Sequence, residues 1–159
     1  MAPAFTIRPA AAHDIAAVAS LFRAYADSLG VDLSYQGFEA ELASLPGAYA
    51  PPAGALLLAL SPESDPLGCV AVRKLAEPGA CEMKRLYTTL SARGTGLGRA
   101  LAVAAIAAAR QAGYSSLRLD TLPTMTAAQT LYRDLGFEII PPYYDTPITG
   151  TLFMRKSLP

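Results

Sequence analysis

The chain has 159 residues, 52% of them hydrophobic and 16% charged, with 13 Lys and Arg against 13 Asp and Glu. That length and apolar share fit one domain, 1–159, around one core. A net charge of zero supplies neither the basic face that nucleic acid asks for nor a polybasic run for a membrane surface.

Phe5 and Ile7 alternate with polar neighbours and read as a first strand ended by Pro9. Asp14 is a candidate N-cap for a helix in which Ile15, Val18, Leu21, Phe22 and Tyr25 recur at helical spacing, stopped by Gly30. A second helix is expected over Tyr35–Leu45, then a Pro/Gly/Ala loop over Pro46–Gly54. Ala55–Leu60 and Gly68–Leu75 read as an antiparallel hairpin, and Cys81–Thr88 as the next strand. The Ala-rich segment Leu97–Gln111 reads as a helix closed by Gly113. Leu117–Leu122 is a strand, Pro123 and Thr124 open a helix to Leu135, and Phe137–Ile140 and Thr151–Met154 are strands. The order implies an α/β (α+β) mixed sheet, antiparallel early and parallel around the strand-glycine-helix unit.

His13 is the single histidine, and Cys69 and Cys81 lack metal-ligand spacing. Zinc and a Ser-His or Cys-His pair are therefore not expected, and the cysteines read as reduced strand residues. The N-terminus shows no basic-then-apolar leader, and the longest apolar stretch, Ala100–Ala109, is too short to span a bilayer. A cytoplasmic protein is the expectation. The near-neutral charge balance and a mean hydropathy of +0.29 favour self-association, and a homodimer is the expectation.

Gly94, Gly96 and Gly98 follow a strand and open a helix, with Arg93 and Arg99 on either side. Glycine lets a ligand approach the backbone, and the free amides of a helix start favour an anion. Plain capping needs fewer glycines, so the turn reads as a pyrophosphate cradle. A Walker A loop is excluded, because Arg99 and Ala100 stand where Lys and Ser or Thr are required. The spacing is GxGxG, and four strands come first, which disfavours a dinucleotide site despite Asp120 further on.

These residues resemble the GNAT acetyltransferase superfamily. Arg93, Gly96 and Gly98 match its R/Q-x-x-G-x-G/A signature. Glu82-Met83-Lys84-Arg85-Leu86-Tyr87-Thr88 is similar to its upstream strand. Ala128, Leu131, Tyr132, Gly136 and Phe137 match A-x-x-L-Y-x-x-x-G-F downstream. Ile7-Arg8-Pro9-Ala10 followed by Asp14 looks like its opening. Met125 departs from the family's frequent asparagine, and Leu90 from its proline. Leu119–Pro123 and Pro142-Tyr143-Tyr144 look like a bacterial, small-molecule subgroup.

The resemblance implies an acyl-CoA N-acyltransferase fold: mostly antiparallel N-terminal strands, a splayed central parallel pair and about four helices. It implies acetyl-CoA as co-substrate, no metal, and a small-molecule primary amine as acceptor. The pyrophosphate would sit on Arg93, Gly94, Thr95, Gly96, Leu97, Gly98 and Arg99, and the pantetheine arm along backbone groups of Leu86, Tyr87 and Thr88. The Leu86 amide would polarise the thioester carbonyl. Tyr132 matches the tyrosine that protonates the leaving thiolate; the competing reading is packing beside Leu131 and Leu135. Glu82 is the candidate base, against a strand-face carboxylate paired with Lys84 or Arg73. Tyr143, Tyr144, Tyr35 and Phe38 are expected to wall the acceptor pocket or to form dimer contacts. Asp145 is an ammonium ligand or a solvated loop charge. A non-catalytic acyl-CoA-binding or regulatory module on the same fold is the alternative function.

Overall fold

The computed structural model describes residues 4–159. In chain order the elements are β1 (Thr6–Pro9), α1 (Ile15–Leu29), α2 (Phe38–Ala43), β2 (Ala55–Leu60), β3 (Pro66–Lys74) and β4 (Ala80–Thr88). There follow α3 (Leu97–Gln111), β5 (Ser116–Thr121), α4 (Thr126–Asp134), β6 (Glu138–Ile140) and β7 (Leu152–Ser157). The strands form one sheet in the order β1-β2-β3-β4-β5-β7-β6. Every neighbouring pair is antiparallel except β4 and β5, which run parallel.

Two apolar clusters pack on the two faces of the sheet. On one face α3 and α4 cover Val70, Met83, Leu117 and Leu119. On the other, α1 and α2 cover Leu56, Leu58 and Ala71 through Val18, Phe22, Phe38 and Leu42. The continuous apolar run of β2 serves both clusters, which is why it lacks alternation. Burying a side chain such as Leu101, fully enclosed, contributes about 1.5–3 kcal/mol. The alanines of α3 let it lie close on the sheet. At the closest approach, a Cβ on Gly68 would sit 2.6 Å from the Tyr87 carbonyl oxygen and 3.0 Å from Leu101.

Several boundaries differ from the expectations. The second helix breaks at Gly37 (φ 69°), leaving a 3-10 turn over Leu33–Gln36 ahead of α2. α4 starts at Thr126 because Met125, at φ −88° and ψ 60°, lies outside the helical region. β7 runs on to Ser157, since β5 pairs with it along its whole length. Asp14 does not cap α1 with its side chain. Its carboxylate accepts the Ala11 amide at 2.7 Å and the Arg8 fork at 2.6 and 3.1 Å, tying β1 to the start of α1.

Two irregularities of β4 shape everything that follows. Cys69 pairs with Tyr87 and Ala71 with Lys84, so two steps on β3 match three on β4. The extra residue makes a bulge at Arg85, whose φ is +61°. β4 and β5 pair only at Ala80–Ser116, Cys81–Leu117 and Glu82–Arg118. Beyond that the strands part, and a wedge opens towards their C-terminal ends.

Candidate active site

The glycine turn lies beside the open end of this wedge. Gly94 and Gly96 have φ of 80° and 87°, and Gly96 stands at the N-cap of α3. The first helical bond runs from Ala100 N–H to the Gly96 carbonyl at 3.1 Å. The amides ahead of it have no acceptor within the helix. The Thr95 hydroxyl donates to the Ala92 carbonyl and braces the turn. Gly98 is informative because its φ is ordinary and a Cβ there would meet nothing within 4 Å. Neither backbone conformation nor internal packing requires glycine there. The free space lies at a helix start with exposed amides, which fits an anionic group lying against the backbone.

Arg93 lies over the Tyr87 ring at 5.9 Å and lines a groove of about 520 Å³. The groove runs from Gly98 past Leu86, Tyr87 and Thr88 to Met125 and Leu131. Leu86 and Met125 also border a smaller cavity of about 30 Å³ inside the wedge, next to Tyr132, Asp120, Lys84 and Tyr35. The two spaces together resemble a long arm ending in a small chamber. Arg99 points its charge elsewhere and pairs at 3.3 Å with Asp134 on the surface of α4.

Tyr132 is buried, with its ring 5.7 Å from that of Phe137. Burial pushes its hydroxyl above the usual tyrosine range, so the proton stays on at neutral pH. Among the described residues the hydroxyl takes no hydrogen-bond partner. Packing against Phe137 is thus observed, and it leaves the residue at the edge of the small cavity.

Glu82 is fully buried and both of its oxygens are engaged. Oε1 accepts from Arg73 Nε at 2.8 Å and lies 3.8 Å from Lys84 Nζ. Oε2 accepts from the Tyr143 hydroxyl at 2.5 Å. The expected pairing with Arg73 or Lys84 is therefore present, and any base role has to run through Tyr143. On β5, Asp120 borders the small chamber and accepts from the Tyr144 hydroxyl at 2.5 Å. Burial, then the adjoining carboxylate, raises both tyrosines above their ordinary range. The rings of Tyr143 and Tyr144 pack edge-on against each other and against Phe153, with centroids 5.0–5.7 Å apart.

Arg85 was not singled out from the sequence. Its guanidinium is buried, accepted by Glu41 through two bonds of 2.9 Å and by the Gln36 side-chain oxygen at 2.8 Å. Burial disfavours its charge, and the Glu41 bonds more than offset this, so its pKa is raised. Gln36 in turn donates to the Tyr35 hydroxyl at 3.0 Å. Asp120, Glu41 and Gln36 were likewise missed as site residues. One signal was available: three charged residues in Glu82–Arg85 break the alternation of a half-buried strand. Phe38 does not wall the pocket; it is core, with the Arg85 guanidinium 5.1 Å above its ring. Asp145 is exposed. His13 is also exposed, with Nε2 3.4 Å from the Asp14 carboxylate. No cluster of three His, Cys, Asp or Glu able to hold a metal occurs among the described residues.

Residues 18–137 match the Acetyltransferase (GNAT) family. An uncharacterized N-acetyltransferase of Schizosaccharomyces pombe is 41% identical over 138 residues, covering 87% of this chain and 85% of that one. A Klebsiella pneumoniae protein assigned as an acyl-CoA N-acyltransferase superposes with a TM-score of 0.71 at 31% identity, covering 97% of each chain. A Salmonella typhimurium protein assigned as an acetyltransferase, solved with acetyl-CoA as its cofactor, gives 0.68 at 22% identity, covering 98% of this chain and 95% of that one. These relatives include a fungus, so the pattern is not confined to bacteria. A glycine turn at a helix start, a groove leading from it into a split sheet, and a family match over most of the length lead to one conclusion: this chain belongs to the acetyltransferase (GNAT) family and is an acyltransferase.

Proposed function

We propose that the protein moves the acetyl group of acetyl-CoA to a primary amine of a small molecule by direct transfer. One observation carries this reading: the groove joins the amides of the glycine turn to the chamber beside Tyr132. In that arrangement Arg93 and the amides of Gly94–Arg99 hold the pyrophosphate. The backbone of Leu86–Thr88, left without a partner on its β5 side, would hold the pantetheine arm, and the Leu86 amide would polarise the thioester carbonyl. When bound, acetyl-CoA supplies the activated acyl group. Tyr132, kept protonated by burial, donates a proton to the departing sulfur. The amine's proton passes to the Tyr143 hydroxyl as Tyr143 gives its own to Glu82. Holding both reactants in one narrow wedge supplies much of the acceleration.

A small acceptor suits the narrow chamber lined by Tyr35, with Tyr143 and Tyr144 lining a second cavity, better than a protein tail does, and the chain has no excess of acidic charge to attract one. A reducing, cytoplasmic setting suits the two free cysteines. The test is release of free CoA thiol from acetyl-CoA with a panel of amines. Amine-dependent release is the expected result. Thermal stabilisation by acetyl-CoA with no release for any amine overturns catalysis and leaves the non-catalytic binding module.

A further inference from the structure

Glu82 has cations around it in excess. Arg73 faces it across β3 and β4, Arg118 faces it across β4 and β5, and Lys84 is two residues on. Directly paired residues on neighbouring strands share a face of the sheet. Arg73 and Arg118 also line one open cavity of about 360 Å³, together with Glu77, Glu82, Tyr143 and Tyr144.

Neither guanidinium is fully satisfied. Arg73 gives only its Nε to Glu82, and among the described residues its terminal nitrogens take no acceptor. The Arg118 side chain is 13% exposed, yet its Nε is buried without a partner. Its one carboxylate is Glu77, 60% exposed on the β3–β4 turn, where water competes for the pair. Arg118 also faces Arg155 across β5 and β7, a like-charge pairing that neighbouring strands tolerate poorly. The Tyr143 ring lies under the Arg118 guanidinium at 5.8 Å and holds it in place.

We propose that this cavity is the acceptor subsite for a carboxylate, and that the acetylated amine belongs to a small amino-carboxylate held at its acid end by Arg118 and Arg73. The inference rests on the acetyltransferase reading and names the substrate class of that site. The tyrosines that line the cavity are the ones that bond Glu82 and Asp120, so the anion site adjoins the reacting centre. Arg118 and Asp120 are two residues apart on one face of β5, about 6.6 Å along the strand. A molecule of amino-acid length spans that distance with its ammonium at Asp120 and its carboxylate at Arg118. A carboxylate completes the open donor sites with charge-assisted bonds, whereas a polyamine would meet the arginines with like charge.

The experiment compares CoA release for pairs of amines that differ only in a carboxylate: α- and ω-amino acids against their decarboxylated or amidated analogues. The carboxylated member of at least one pair is expected to have a kcat/KM about tenfold or more higher. Arg118→Gln should raise KM for that acceptor about 10- to 100-fold with kcat nearly unchanged, the loss of a charge-assisted contact. It should leave KM for the uncharged analogue and for acetyl-CoA unmoved, and Arg118→Lys should recover part of the loss. If Arg118→Gln is poorly folded, Arg118→Lys is read alone, with a smaller rise in KM confined to the carboxylated acceptor. Equal turnover with and without the carboxylate, or an equal effect of the variants on both members, overturns the carboxylate subsite and leaves acetyl transfer intact. Absence of release with every amine overturns the acetyltransferase reading itself.

Discussion

The Arg85 guanidinium meets the Glu41 carboxylate as a fork, with Nε bonded to Oε2 and Nη2 to Oε1, both at 2.9 Å, across 44 residues of sequence. The pair fastens the bulge of β4 to α2. Positive φ at a non-glycine residue costs of order 1–3 kcal/mol and persists only where surrounding contacts overrule it. Here those contacts are Glu41, Gln36 and the rings of Tyr25 and Phe38.

Removing Glu41 leaves a buried arginine with no counter-charge. Glu41→Ala is expected to destabilise the fold by about 3–5 kcal/mol, measured by urea unfolding. It should also displace the Leu86 amide and lower kcat. A loss under 1 kcal/mol shows that the fork is not what holds the bulge.

Gly98 separates folding from binding. A methyl group there meets no protein atom, and alanine is the better helix former, so Gly98→Ala should keep or slightly raise the melting temperature. The same methyl fills the space against the amides. Acetyl-CoA affinity should fall about tenfold, or 1.4 kcal/mol, by calorimetry. Unchanged affinity would place the pyrophosphate elsewhere.

Tyr132→Phe keeps the packing against Phe137 and removes only the hydroxyl. A kcat loss of about 100-fold is expected, within the range for general acids, with acetyl-CoA affinity unchanged. Wild-type turnover in the variant, at acid and alkaline pH alike, removes Tyr132 from the chemistry.

Asp14 governs the acid limb of stability. Its bonds to Arg8, then the Ala11 amide, hold its carboxyl at about 2, below the ordinary 3.8. A depressed carboxylate stabilises the folded state above its unfolded value, and that contribution fades as pH falls from about 4 towards 2. Asp14→Asn should be less stable at neutral pH and should show a shallower decline across that window, followed by thermal melts. Parallel wild-type and variant curves would deny Asp14 this role.

The glycine turn and the order of elements were legible because local chemistry dictates them. A strand, alternating glycines and an alanine helix declare themselves by composition and period. Tyr132 was legible through its place in a motif. Arg85 was not, because its role depends on a bulge that no strand pattern announces and on a partner in a different helix. The state of Glu82 was half legible: pairing with Arg73 or Lys84 followed from strand register, but the Tyr143 bond comes from a loop 61 residues away. Asp120 drew notice for its distance from the glycines, whereas its meaning lies in Tyr144 and the chamber. The late starts of α2 and α4 both turn on single backbone angles, at Gly37 and Met125.

Because β4 and β5 share only three rungs, the sheet contains two bare inner margins facing each other. Each is paired on its outer side alone, with β3 and β7. Margins of this kind attract any chain that can offer alternating amides and carbonyls. On the proposed function, the amide groups of a pantetheine arm would answer that need, and the ligand would then act as a removable splint across the open part of the wedge as much as a reactant.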